Sequence, residues 1–137
     1  MKNEFIDTLD INLLNNVCFT KILDIKGRKL KIENYYEGVI KFNFIELFDK
    51  NLGSEDYIKI SEISDFIFIE NLPNFSENNS NQQQRFITFI DIIYEKKIPL
   101  MITSDSNLKS IKSSKNLFNI FKRTISRLYE LTSINYK

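Results

Sequence analysis

The sequence predicts an α/β protein: an antiparallel β-meander, then a βαβ unit with parallel strands, then a C-terminal helix. Three observations carry that prediction. Alternating apolar and polar residues flank two glycine-containing turns early in the chain. Two compact apolar runs of β-type residues bracket a segment with helical periodicity. The chain then closes on a second segment with helical spacing. With 137 residues and 42% hydrophobic residues, the length suits a single domain with a substantial core. That domain is expected over residues 20–137, after a polar-flanked, loosely apolar lead-in at residues 1–19.

The meander comes first. In "TKILDIKGRKLKIENYYEGVIKFNF", Ile22 and Ile25 precede a Lys26–Gly27 turn, and Leu30, Ile32, Asn34 and Tyr36 alternate up to a second turn at Glu37–Gly38. Ile40, Phe42 and Phe44 then share a face opposite Lys41 and Asn43. A brief helical turn is expected from Ile45 to Phe48. Ser54 reads as the N-cap of a further helix, with acids in its first turn. "SDFIFIENLP" reads as a buried strand and the polar "NFSENNSNQQQ" as a surface loop. Phe86, Phe89, Ile90, Ile93 and Tyr94 give the next helix a broad apolar face, with Arg85 at its start and Lys96 and Lys97 at its C-terminus. "IPLMITS" reads as a second buried strand. Strand, helix and strand together form the βαβ pattern. After a Ser/Lys-rich stretch from Ser104 to Lys115, a closing helix runs from about Leu117 to Ser133. Phe121, Ile125, Leu128 and Thr132 are expected on its core side, and Arg123, Arg127 and Glu130 on another stripe.

Composition excludes several chemistries. A formal net charge of +1 argues against a general nucleic-acid binder. No apolar run approaches the ~20 residues of a membrane-spanning helix. The acidic first ten residues do not form a signal peptide, so a soluble, cytoplasmic protein is expected. With no histidine and only Cys18, zinc or copper binding is not expected, and serine–histidine or cysteine–histidine catalysis within this chain is excluded. Cys18, between Val17 and Phe19, reads as a small buried apolar residue.

Lysines outnumber arginines fifteen to four, so the arginines are the informative cations. A planar, bidentate guanidinium suits phosphate and carboxylate in a way that a lysine ammonium does not. The four are Arg28, Arg85, Arg123 and Arg127. Arg123 and Arg127, four residues apart on a helix, would face the same way and repel by about 0.2–0.5 kcal/mol unless something holds them. Spacing alone suggests a solvated stripe, with Arg127 pairing Glu130. Arg85 would take a carboxylate such as Asp91, a neighbouring element or an anion, with a structural ion pair favoured, and Arg28 would be a turn residue. Asp56–Tyr57 and Asp91–Tyr94 read as capping and surface charge rather than as acid–base pairs. Lys109, Lys112 and Lys115 read as a solvated linker.

Three segments, in order, resemble one family. "GVIKFNFIELFDKNLGSEDYIKIS" looks like its Phe-Asp-Phe-x-Glu-Leu … Leu-Gly-x-x-Asp-Tyr segment. "QRFITFIDIIYEKKIPL" resembles its Arg-Arg-Phe-Ile-x-Leu-Ile-Asp-x-Leu-Tyr-Glu helix. "FKRTISRLYELTSINY" resembles its Arg-Thr-x-Ser-Arg-Leu-x-Glu-Met-x-Ser ending. The family is the ZapE/lactation-elevated-protein group of AAA+-type P-loop ATPases, and the resemblance runs from about Gly27 to Tyr136. Gln84 stands where the family has its first helix arginine, and Leu131 where it has Met. The resemblance implies a partial P-loop-type core, equivalent to the C-terminal part of such an ATPase.

A P-loop needs Gly-x-x-x-x-Gly-Lys-Ser/Thr so that backbone N–H groups can wrap phosphates. Gly27, Gly38 and Gly53 do not fit that spacing, and no apolar run ends in Asp-Glu; "FIFIENL", with Glu70, comes nearest. The resemblance therefore implies ATP and magnesium only together with an N-terminal P-loop half, no catalytic residue in this chain, and no activity alone. It makes Arg127, then Arg123, and also Arg85, the candidates for contact with a nucleotide phosphate. The P-loop half and a cell-division (FtsZ-like) protein are the implied partners, bacterial members being linked to division and eukaryotic ones to mitochondrial protein quality control. The alternatives are a free-standing protein-interaction module, or the remnant of a truncated or decayed gene.

Overall fold

The computed structural model describes residues 19–133. Of the 1–19 lead-in, residues 1–18 with Cys18 lie outside it, as do the residues after Ser133, and Phe19 proves to be the first residue of a strand. Eight principal elements lead to the closing helix: β1 (Phe19–Ile25), β2 (Arg28–Tyr36), β3 (Val39–Asn43), α1 (Phe44–Phe48), α2 (Ser54–Glu62), β4 (Phe66–Leu72), α3 (Ser80–Glu95) and β5 (Leu100–Ser104). The last is α4 (Phe118–Ser133), and short 3₁₀ turns lie at Glu77–Asn79 and Leu108–Ser110. All five strands form one mixed sheet in the order β1-β2-β3-β4-β5. β1, β2 and β3 pair antiparallel, whereas β3–β4 and β4–β5 pair parallel. The meander and the βαβ unit are thus parts of a single sheet.

Both hairpins follow from their turn residues. Lys26 and Gly27 have φ of 52° and 86°, and Glu37 and Gly38 have 45° and 88°. Two consecutive positive φ values make the two-residue turn whose twist matches that of the strands it joins. Gly38 is needed twice over, because a Cβ there would also collide with the Asp65 carboxylate, and its carbonyl accepts the N–H groups of Asp65 and Phe66.

Parallel strands require crossovers, and the helices supply them. α1 and α2 lead from β3 to β4, and α3 leads from β4 to β5. Asn43 caps α1, its side chain accepting the Ile45 N–H while Glu46 reaches back to the Asn43 N–H. α2 is capped at Gly53, one residue before the expected Ser54, because the Asp56 carboxylate accepts the Gly53 N–H at 2.8 Å.

The expected loop "NFSENNSNQQQ" is largely ordered as the Glu77–Asn79 turn and the first turn of α3. Gln83 explains why. Its side chain is fully buried, donating to Ser113 Oγ at 2.7 Å and accepting the Ser114 N–H at 3.1 Å. Pairing with a segment thirty residues later makes a polar run helical, which local composition does not register. Arg85 consequently lies in the second turn of α3, not at its start.

Every buried apolar residue of the four helices belongs to one cluster, together with strand residues such as Ile40, Phe42, Ile67 and Ile69. Rings dominate its centre. Phe48 touches Phe44, Tyr57, Phe86 and Phe89 at centroid distances of 4.8–5.9 Å, and Phe75 continues the chain of rings to Phe121 on α4. A smaller cluster of Val39, Phe66 and Phe68, flanked by Tyr36 and Met101, is built from strand residues only. β5 is less buried than expected: Leu100 is enclosed, but Met101 and Ile102 are half-buried and Thr103 is exposed, because β5 is one of the two edge strands of the sheet among the described residues.

Candidate functional site

The two arginines of the last helix meet on one carboxylate. α3 and α4 pack side by side, and Asp91 of α3 accepts Arg127 Nη1 at 2.6 Å and lies 3.7 Å from Arg123 Nη2. The shared carboxylate offsets the repulsion that their four-residue spacing creates. Glu130, the expected partner of Arg127, instead accepts the Tyr94 hydroxyl at 2.9 Å. The Arg127 guanidinium stands 4.6 Å over the Tyr94 ring, and Lys97 Nζ is 4.1 Å from the same ring centre. Asp91, Tyr94, Arg123, Arg127 and Glu130 therefore form one polar seam across the two helices. Asp91 and Tyr94 had read as surface charge; their three-residue spacing on a helix was the signal that they share a face.

The two arginines are not equally committed. The Arg127 side chain is 22% exposed and tightly held, whereas Arg123 is 58% exposed with the looser contact. On this geometry Arg123 is the freer cation, although the sequence resemblance ranks Arg127 first.

Arg85 belongs to a different place. Its Nη1 donates to the Phe48 carbonyl at 3.0 Å, putting a cation on the C-terminal end of α1, not on Asp91. Tyr57 lies nearby with its hydroxyl buried and without a hydrogen-bond partner. Burial pushes this phenol up to about 12; the Arg85 charge opposes the shift and the Asp56 charge adds to it. Arg28, expected in the turn, opens β2 and donates to Asp56 Oδ1 at 2.7 Å, while the other oxygen of Asp56 caps α2. Arg28 and the Gly-x-x-Asp-Tyr segment thus serve one joint between the meander and α2.

These side chains do not by themselves fit a magnesium nucleotide. The place a phosphate would take beside Arg123 and Arg127 is held by the Asp91 carboxylate. Gly27 and Gly38 are spent in hairpin turns and Gly53 caps α2. Among the described residues no group of three or more His, Cys, Asp or Glu is placed to hold a metal ion. Also among them, no helix is long and apolar enough to cross a membrane.

The class is therefore an α/β unit whose helix arginines brace its packing and leave one cation at a surface seam. Residues 10–137 match the family model described as AFG1-like ATPase, and the chain belongs to that family. It is 29% identical over 94 residues to lactation elevated protein 1 homolog B of Danio rerio, covering 69% of this chain and 19% of that protein. It is 25% identical over 114 residues to cell division protein ZapE of Escherichia coli K12, covering 83% and 30%. An uncharacterized protein of Schizosaccharomyces pombe is 25% identical over 89 residues, covering 65% and 20%. The chain thus spans from about a fifth to about a third of the length of these curated relatives. No solved structure matches it significantly.

Proposed function

We propose that this chain acts as the C-terminal part of an AFG1-like ATPase, joining a P-loop-bearing partner and turning over no ATP alone. The supporting observation is the family match over residues 10–137, set against relatives several times longer. In this reading ATP and magnesium are held by the P-loop part, since none of the three glycines here has phosphate-loop spacing. This chain supplies Arg123, and behind it Arg127, to the surface that meets that part. The outer edge of β5, like that of β1, has no strand partner among the described residues, and such an edge suits an added element. A cell-division protein is a candidate partner, on the printed name of the Escherichia coli relative alone.

The test is phosphate release by the purified chain, alone and mixed with a P-loop segment of the Escherichia coli relative. We expect no turnover alone and turnover in the mixture, with Arg123→Ala lowering it by ~10-fold or more if the guanidinium stabilises the transferred charge. Turnover by the chain alone, abolished by a substitution within it, would overturn the reading.

A further inference from the structure

The positive charge of the chain is concentrated. From Ser106 to Lys122 there are four lysines and no aspartate or glutamate, in a chain whose net charge is only +1. Three of these lysines, Lys109, Lys112 and Lys122, are exposed and rim a groove of about 640 Å³ between the 108–113 segment and α4. Its apolar part consists of buried Ile111 and Phe121, partly buried Ile125, and Phe118 at 52% exposure. No carboxylate lines it, and none of the three lysines forms an ion pair among the described residues. The groove beside α2 differs: there Lys26 and Lys59 sit with Asp24 and Glu55, so its charges are already balanced.

The groove is also built in advance. Asn74 accepts the Lys112 N–H, Lys112 O accepts the Phe75 N–H, and Glu77 accepts the Lys115 N–H, while buried Gln83 holds Ser113 and Ser114. These bonds fix the backbone and leave the lysine side chains exposed. On the other wall Phe118, Phe121 and Ile125 run along α4 at spacings of three and four residues, and Lys122 lies 4.7 Å over the Phe118 ring. Apolar area within a ring of unneutralised cations calls for a ligand with the reverse pattern.

We propose that this groove is a docking site for an acidic segment of a partner protein, one that seats apolar side chains between Ile111 and α4 and sets carboxylates against Lys109, Lys112 and Lys122. Nucleic acid is the poorer match, because phosphates have no use for the apolar wall and these few lysines are spread around a trough. This inference stands independently of any ATPase role.

The probe is a fluorescein-labelled peptide of about a dozen residues, with Leu and Phe at helical spacing and Asp and Glu between them. Binding to the full chain is read by anisotropy at low and raised salt. We expect binding that weakens with salt, falls by about tenfold or more in Lys109→Glu/Lys112→Glu/Lys122→Glu, and falls less in the neutral pair Lys109→Gln/Lys112→Gln. Phe118→Ser should weaken it too, and all these positions are exposed enough to leave the melting temperature nearly unchanged. The proposal is overturned if the probe does not bind or if the lysine variants bind it equally. It is also overturned if a control with Ser at the apolar positions, or a single-stranded oligonucleotide, binds as tightly. Binding seen only when Glu4, Asp7 and Asp10 are replaced by Lys would mean that the chain's own acidic lead-in takes the groove, and would overturn it as well.

Discussion

Two arginine–carboxylate joints, Arg28–Asp56 and Arg123/Arg127–Asp91, use the same chemistry to different ends. At the joint between the meander and α2, the carboxylate is enclosed: the Asp56 side chain is 3% exposed and Arg28 reaches it from the surface. At the α3–α4 seam, Asp91 is 36% exposed and is shared by one half-buried and one exposed arginine. The first joint has each carboxylate oxygen bonded to its own donor, one from Arg28 and one from Gly53. The second keeps a cation in reserve. A closed joint is where substitution should harm the fold, and an open one is where it can alter function while the fold survives.

The largest effect should come from the rings beside the closed joint. Phe48 is fully buried against four other rings, so Phe48→Ala should destabilise by about 3–5 kcal/mol in urea unfolding. Asp56→Ala should follow at about 1–3 kcal/mol, losing the cap on α2 together with the Arg28 contact. Arg28→Ala should lose clearly less, because its guanidinium is half exposed; equal losses would show that the pair, not the cap, holds the joint.

A pH titration probes the same region. Tyr57 is raised to about 12, so its neutral form is favoured by folding. Its contribution to stability is complete below the ordinary tyrosine range near 10 and is lost as the pH rises through about 12. Ultraviolet titration should show one phenol ionising late, and Tyr57→Phe should remove that component. The smallest effects belong to the open seam: Arg127→Ala about 1 kcal/mol, and Arg123→Ala within about 0.5 kcal/mol. A larger loss for Arg123 than for Arg127 would reverse their assignment as spare and brace.

Much of the fold could be read locally. Lys26–Gly27 and Glu37–Gly38 between alternating runs specify both hairpins, since few residues other than glycine accept the second position. The βαβ unit follows from two β-type runs around a helical stripe. What could not be read depends on distant partners. The buried Gln83 side chain ties the first turn of α3 to Ser113 and Ser114, about thirty residues on, beside the local cap that Ser76 and Asn79 form. β5 has the composition of an enclosed strand but lies at an edge of the sheet among the described residues, and neighbours are not encoded in a strand's own residues. The site shows the same division. Arginine scarcity pointed to these residues, and of the partners open to Arg85 the structure takes the neighbouring element, the Phe48 carbonyl; but Arg127 pairs with Asp91 and not with Glu130, because sequence spacing is blind to a packed neighbouring helix. Lys109, Lys112 and Lys115 read as a solvated linker and their side chains are indeed exposed; what spacing could not show is that Asn74, Phe75, Glu77 and Gln83, all distant in sequence, fix the backbone that carries them.

The uneven placement of lysines has a consequence at a distance. With four lysines gathered between Ser106 and Lys122 and the remainder of the chain net negative, the near-zero total conceals a charge distribution that is uneven along the sequence. An acidic surface would exert little net pull on the chain as a whole and act chiefly on that segment, turning the lysine-rimmed groove toward itself before contact. That alignment would fade once salt shortens the screening length to about 10 Å or less. Near-neutrality here sets orientation during approach, while contributing little to the attraction itself.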